Sequence, residues 1–289
     1  MISRSPRHLA RPPRRQCACG VDPTRIRYLA FTSTLVILFS LASVAVAAEA
    51  ASEARKDAWV VQASAGLPPT VIDALHRIVG GDRRLLALRA YLRAGDTLSE
   101  RWSWTQERLS AYPSTSEGKA AAIEINAVAA AFATSNPGFT LQVNRQPRSL
   151  DVQITRWNEN ESVGKTAAML RAALDRQFTA DGTPLHAVEL RKALIEWPGE
   201  AAAALAAPGL STHGQGRAFD FQVRHHGQVI AGADVASAHR QWDAAGWTQK
   251  LHAAVSIAGN RFAGPLQSPY EPWHYAYKPV PMTSDPKAL

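Results

Sequence analysis

Apolar residues recur along this chain at two spacings, and the change from one to the other marks out its elements. From Thr70 the spacing is helical. Val71, Leu75, Ile78 and Val79 fall on one face, Thr70 with Asp73 forms a capping-box start, and Gly80-Gly81 ends the run. Leu85, Leu88 and Leu92 form the stripe of a second helix, capped by Asp82 and ended after Arg93 by Gly95. Thr97 with Glu100 opens a third, running to Pro113. A long alanine-rich helix is predicted from Glu117 to Thr134, bounded by Asn136-Pro137-Gly138. Alternation then takes over, and Phe139 to Val143 reads as a strand. Helical patterns return at 150–159, 162–178 and 186–196. Strands at 218–223 and 228–231 are joined across Arg224-His225-His226-Gly227. That adjacent histidine pair is read as a polar hairpin tip with diverging side chains, not as metal ligands. Helices follow at 235–245, with Asp234 as cap, and at 248–258, and a last strand at Trp273 to Tyr277. A few strands among several flanking helices predict an α+β fold: a small antiparallel sheet flanked by helices, with an N-terminal helical segment.

The N-terminus has a different pattern. Seven arginines against one aspartate occupy the first 27 residues, and from Tyr28 to Ala48 the sequence is nearly all apolar. This is the layout of a secretory leader with Ala45-Val46-Ala47 as a small-residue cleavage site, or of an uncleaved membrane anchor. Either predicts an exported protein of the periplasm or cell envelope. The leader also carries most of the charge excess. The formal net charge is +8, from 32 basic and 24 acidic residues; beyond Ala47 there are 25 and 23, a net +2. With no basic stripe interleaved with aromatics, no nucleic-acid partner is expected. Both cysteines, Cys17 and Cys19, lie in the leader, so the remainder has neither a disulfide nor a thiolate metal site. The expected organisation is a leader at 1–47, a linker at 48–66, the helical segment at 67–112, the main domain at 113–279 and a tail at 280–289. Trp102 and Trp104 are read as core aromatics, and Ala201 to Ala207 as a loop at a cleft mouth.

The candidate chemistry lies in Ser211-Thr212-His213-Gly214-Gln215-Gly216-Arg217-Ala218-Phe219-Asp220 and Glu271-Pro272-Trp273-His274. Together these supply two imidazoles and two carboxylates. A catalytic zinc takes three nitrogen or oxygen ligands and leaves one position for water, a count that His213, Asp220 and His274 meet. Glu271, three residues before the last ligand, fits a general base. On an alternating strand Asp220 shares a face with Gln222, while Phe219, Phe221 and Val223 turn into a core. Pro272 resists a central strand position, so pairing is expected to begin near Trp273 with Glu271 on the loop before it.

Ser-x-His-x-x-Gly-x-Ala-x-Asp followed by Glu-x-Trp-His resembles the signature of the LAS-type zinc peptidases, the D-alanyl-D-alanine carboxypeptidase family that includes VanY-like enzymes. Here it reads Ser211, His213, Gly216, Ala218, Asp220, then Glu271, Trp273 and His274, within a resemblance covering about residues 115 to 279. It implies a small antiparallel sheet carrying Zn2+ on His213, Asp220 and His274, with Glu271 as catalytic base. Arg148-Ser149, followed by Gln153, looks like the family element whose arginine stabilises the oxyanion. Gln146-Pro147 and Leu150 depart from its commonest form, and Arg145 is a nearby rival. Ser211, Trp273 and Gln153 complete the set as candidate substrate-binding residues, Trp273 as a pocket wall. The resemblance implies peptidoglycan stem peptides as substrate and removal of a terminal D-Ala as the reaction. Alternatives are an endopeptidase on the same scaffold and a non-catalytic cell-wall-binding homologue.

Overall fold

A computed structural model describes residues 49–51, 53–178, 186–199 and 203–279. The leader and the tail lie outside them, and no helix among the described residues is long and apolar enough to cross a membrane. The sheet and its flanking helices belong to one unit, which begins at Glu53.

The fold is mixed helix and sheet, as the two spacings predict. Five strands form one antiparallel sheet: β1 (Phe139–Asn144), β2 (Ala218–His225), β3 (Gln228–Ala231), β4 (Phe262–Ala263) and β5 (His274–Tyr277). The order is β1-β2-β5-β4, with β3 also paired to β2. β2 is the organising strand. Its alternate residues Phe219, Phe221 and Val223 are buried in a core with Ile125, Val128 and Phe132 of the helix at Ser116–Ser135 and Leu251 and Val255 of the helix at Trp247–Ala258. The period-2 reading of β2 therefore holds. β2 and β3 join at a tight turn in which His226 (φ 47°) and Gly227 (φ 80°) both have positive φ, as a two-residue hairpin requires. The adjacent histidines do not diverge: their ring centroids are 4.0 Å apart, with His225 also stacked on Phe139 at 4.5 Å.

The helices, in chain order, are α1 (53–64), α2 (Pro69–Arg77), α3 (Gly81–Ala94), α4 (Leu98–Arg101), α5 (Gln106–Ala111), α6 (Ser116–Ser135), α7 (Leu150–Glu159), α8 (Glu161–Phe178), α9 (Ala187–Glu196) and α10 (Trp247–Ala258). A second core joins α1 to α3 with α7, α8 and α9 through Leu85, Leu88, Tyr91, Trp157, Leu170, Leu190 and Leu194. The N-terminal helices thus share their apolar interior with helices of the main domain.

Four local expectations are corrected. The expected linker contains α1, whose Trp59, Val60 and Ala63 are buried in that second core. Its polar face made the segment read as linker, yet that face is paired: Lys56 meets Asp82 at 3.1 Å and Asp57 meets Arg84 at 2.7 Å. α2 starts one residue before Thr70, with Pro69 in its first turn and no side-chain cap, so the entry is set by proline's fixed φ. The third helix breaks into α4 and α5 because the backbone N–H groups of Ser103 and Trp104 donate to Gly209 O and Gly214 O, both at 2.8 Å. Those donors are lost to a helix ladder. Residues 235–245 form a short 3-10 turn, Val235–Ser237, and one π turn, His239–Asp243, in place of an α-helix; Asp234 does cap the first.

Candidate metal centre

Two adjacent strands and one turn bring the three expected ligands together. Asp220 of β2 lies directly opposite His274 of β5 in the antiparallel register, so their side chains project on the same face. His274 Nδ1 is 3.0 Å from Asp220 Oδ1. His213 comes from the 3-10 turn Thr212–Gln215, which Gly216 ends in the left-handed region at φ 64°. The backbone then enters β2, leaving His213 Nε2 3.4 Å from Asp220 Oδ2. One ligand atom from each residue lies within 4.8 Å of the others, and all three residues are buried. It is the one such cluster of His, Cys, Asp and Glu found among the described residues.

Glu271 stands beside this cluster. Glu271 N–H donates to Leu266 O (2.9 Å), Leu266 N–H to His274 O (3.2 Å) and His274 N–H to Glu271 O (3.1 Å). The loop folded by these bonds sets Glu271 Oε2 3.6 Å from His274 Nδ1. Pro272 keeps it off the strand, which begins at His274.

The electrostatics differ among the acids. Burial raises the Glu271 pKa above the ordinary carboxylate value, and the charges of His274 and Arg148 only partly offset it. Burial acts on Asp220 in the same sense but is outweighed by the bonds to His213 and His274, so Asp220 stays firmly ionised. Burial also lowers the His213 pKa, against the opposing pull of Asp220, a shift toward the neutral imidazole that metal ligation uses. One ionised carboxylate with two converging imidazoles fits a divalent metal ion, and a neighbouring carboxylate of raised pKa fits a base. The cluster can hold a metal ion.

Arg148 also reaches the cluster. Its N–H donates to His213 O at 3.1 Å, and its Nη2 donates to Asp220 Oδ2 at 2.8 Å. Arg145, the rival, donates to Asn126 Oδ1. Ser149 caps α7, accepting from Val152 N–H.

The remaining expected residues separate. Ser211 lines a cleft of about 610 Å3 together with Arg148, His213, Glu271 and His274. Of the expected cleft-mouth loop Ala201 to Ala207, residues 203–207 line it as well, and 201 and 202 lie outside the described residues. Trp273 does not line it. It is 2% exposed and packs in the sheet core, with its ring centroid 6.1 Å from that of Trp242, so the expected pocket wall is a core residue. Gln153 does not line the cleft either: it is buried, and its amide joins three segments. Nε2 donates to Ser103 Oγ (2.8 Å) and Arg148 O (2.7 Å), and Oε1 accepts from Gly209 N–H (3.0 Å).

Sequence reasoning missed Ser103 and the arginines Arg89, Arg93 and Arg101, which reach the cleft wall from α3 and α4. Their signal was only the arginines among the polar positions of the helical segment at 67–112, which was read apart from the main domain. Comparison of the chain with family models, curated proteins and solved structures finds no match in any of the three.

Proposed function

We propose that this chain is a zinc-dependent peptidoglycan peptidase, a D-alanyl-D-alanine carboxypeptidase that removes the terminal D-Ala from stem peptides. The observation that carries the reading is the buried His213, Asp220 and His274 cluster opening into a cleft beside Glu271. The motif resemblance supplies the substrate class. The arginine-rich, apolar N-terminal stretch supports export to the periplasm or cell envelope, where such peptides occur.

His213, Asp220 and His274 would hold the ion; zinc bound there supplies Lewis acidity toward the scissile carbonyl and acidifies a water. Glu271 takes the proton of the attacking water and returns it to the leaving amine, a role its raised pKa suits. Arg148 offers its guanidinium to the negative charge developing on the carbonyl oxygen, while its bond to Asp220 holds it in position. Ser211, at the start of the His213 turn, faces the cleft where substrate lies.

The test is mass spectrometry of defined stem peptides, monomeric and cross-linked, after incubation with the full chain with zinc or with a chelator. Chelator-sensitive loss of one terminal alanine supports the carboxypeptidase. Cleavage at an internal or cross-linking bond replaces it with an endopeptidase on the same scaffold. No cleavage of either substrate refutes both and leaves a cell-wall-binding protein. Glu271→Gln distinguishes chemistry from folding: it should lower turnover about 100-fold or more while zinc binding persists.

A further inference from the structure

The cleft has a second wall that the zinc chemistry does not use. Arg89 and Arg93 of α3 and Arg101 of α4 line it, and with Arg148 they make four guanidinium groups. Glu271 is the one carboxylate among the described lining residues. Arg148 has Asp220 as partner. The other three have no ion pair among the described residues, where Arg55, Arg77, Arg84, Arg171, Arg217 and Arg261 each meet a carboxylate. Among the described residues, then, no carboxylate partner offsets their charge.

Arg89 is the fixed member. Its Nη2 donates to Trp197 O at 2.7 Å, and its guanidinium carbon lies 5.2 Å from the centroid of the Trp197 ring. Its Nε is buried without a hydrogen-bond partner. Burial, with the like charge of Arg93 behind it, pushes the Arg89 pKa down. A half-buried cation held rigidly beside another cation is costly unless an anion joins them. Arg93 and Arg101 are exposed and line the same cleft.

We propose that Arg89, Arg93 and Arg101 form a carboxylate-binding subsite of the cleft, on a wall separate from the residues facing the scissile amide, and so select anionic peptides. The substrate named rests on the peptidase reading above; the subsite itself is an arginine cluster that binds a carboxylate. That carboxylate comes from the peptide's C-terminus or from a side chain, and the test separates these sources.

The zinc-loaded full chain and its Arg93→Gln/Arg101→Gln variant are given three pentapeptides ending in D-Ala-D-Ala. One has a free glutamate carboxyl and a free C-terminus, one has the glutamate carboxyl as a primary amide, and one has the C-terminal carboxyl as an amide. Arg89 is left intact because its bond to Trp197 O supports the fold. Amidation at one position should lower kcat/KM of the unaltered chain about tenfold, mainly through KM, and the affected position identifies the source. In the double variant that discrimination should fall to about twofold or less. Equal kcat/KM for all three peptides with the unaltered chain, or discrimination undiminished in the variant, overturns the subsite.

If none of the peptides is cleaved, the peptidase reading fails, and binding of the same three, followed by tryptophan fluorescence, decides the subsite. A carboxylate preference that the double variant lacks sustains it. Absence of binding, or binding without that preference, overturns it.

Discussion

Replacing Gln153 by alanine should destabilise this protein markedly although no candidate metal ligand is touched, because one amide ties together three segments distant in sequence. Gln153 Nε2 donates to Ser103 Oγ and Arg148 O, and Oε1 accepts from Gly209 N–H. In Gln153→Ala the Ser103 hydroxyl can rotate to another partner. The Gly209 N–H, in a buried bond against Trp102, cannot, and the Arg148 carbonyl, in a part-buried bond, is left with reduced access to water. Stranding a buried polar group costs about 1–3 kcal/mol, so two give about 2–6 kcal/mol, and with one of the two only part-buried we expect about 3 kcal/mol. With a urea m-value of about 2–3 kcal/mol per molar, the unfolding midpoint should fall by about 1–1.5 M at unchanged m. Gln153→Glu sharpens the test. It keeps the acceptor for Gly209 but presents a carboxylate to the Arg148 carbonyl, which raises the folded-state pKa of the new carboxyl. The variant should thus regain stability at low pH, where the proton can be donated to that carbonyl, and lose it as pH rises through the raised value. A loss under about 1 kcal/mol for Gln153→Ala, read from urea unfolding at neutral pH, would refute the claim that this amide holds the site together.

Three further outcomes are expected from the same geometry. Gly214→Ala should lower the melting temperature by several degrees and weaken zinc binding, since an added Cβ would sit 1.9 Å from Ser103 Oγ and 2.5 Å from Gln153 Nε2; an unchanged melting curve would contradict this. Glu117 accepts from Arg217 Nε (2.6 Å) and Nη2 (2.8 Å), which lowers its pKa below the ordinary 4.5. Glu117→Gln should therefore cost about 1 kcal/mol above pH 4.5, a difference that vanishes as pH falls through the depressed folded value, checked by urea titrations across that range. Zinc at 100 times its dissociation constant should add about 2.7 kcal/mol to unfolding stability, by calorimetry, and a chelator or Asp220→Ala should remove that gain; a zinc-dependent shift that survives the substitution would move the metal elsewhere.

The cluster of candidate metal ligands was legible because two local features specify it. The alternation of Phe219, Phe221 and Val223 fixes the face on which Asp220 projects, and Pro272 fixes where pairing with His274 begins. Antiparallel register then sets Asp220 opposite His274 without any long-range information beyond strand pairing. The helices read at 150–159, 162–178 and 186–196 were legible for the same reason: each has an apolar stripe at its own period. Trp273 was misplaced because its position next to a ligand says nothing about which side of the strand it takes. Residues 273 and 274 point to opposite faces, so a cleft-facing His274 sends Trp273 into the core.

The α4–α5 break shows why the rest of the site was not legible. Leu98 to Ala111 has a helical pattern, and in isolation the Ser103 and Trp104 N–H groups would donate within that helix. In the fold they donate instead to Gly209 O and Gly214 O, on the loops that lead to and carry His213. That choice is made by carbonyls more than a hundred residues away, and no window of local sequence contains it. The same separation hides the arginines, since α3 shows a stripe and a charged face but not that Trp197 will receive Arg89. Patterning specifies elements and faces; which element becomes a cleft wall is decided by the competition for backbone hydrogen bonds after they pack. The N-terminal helices are thus part of the site's construction. Ser103 and Gln153 brace the loop of Arg148 and His213, and a chain lacking α3 to α5 would leave those donors and carbonyls without partners. A truncation beginning at residue 113 should consequently fail to bind zinc with the full chain's affinity, even though all three ligands remain in it.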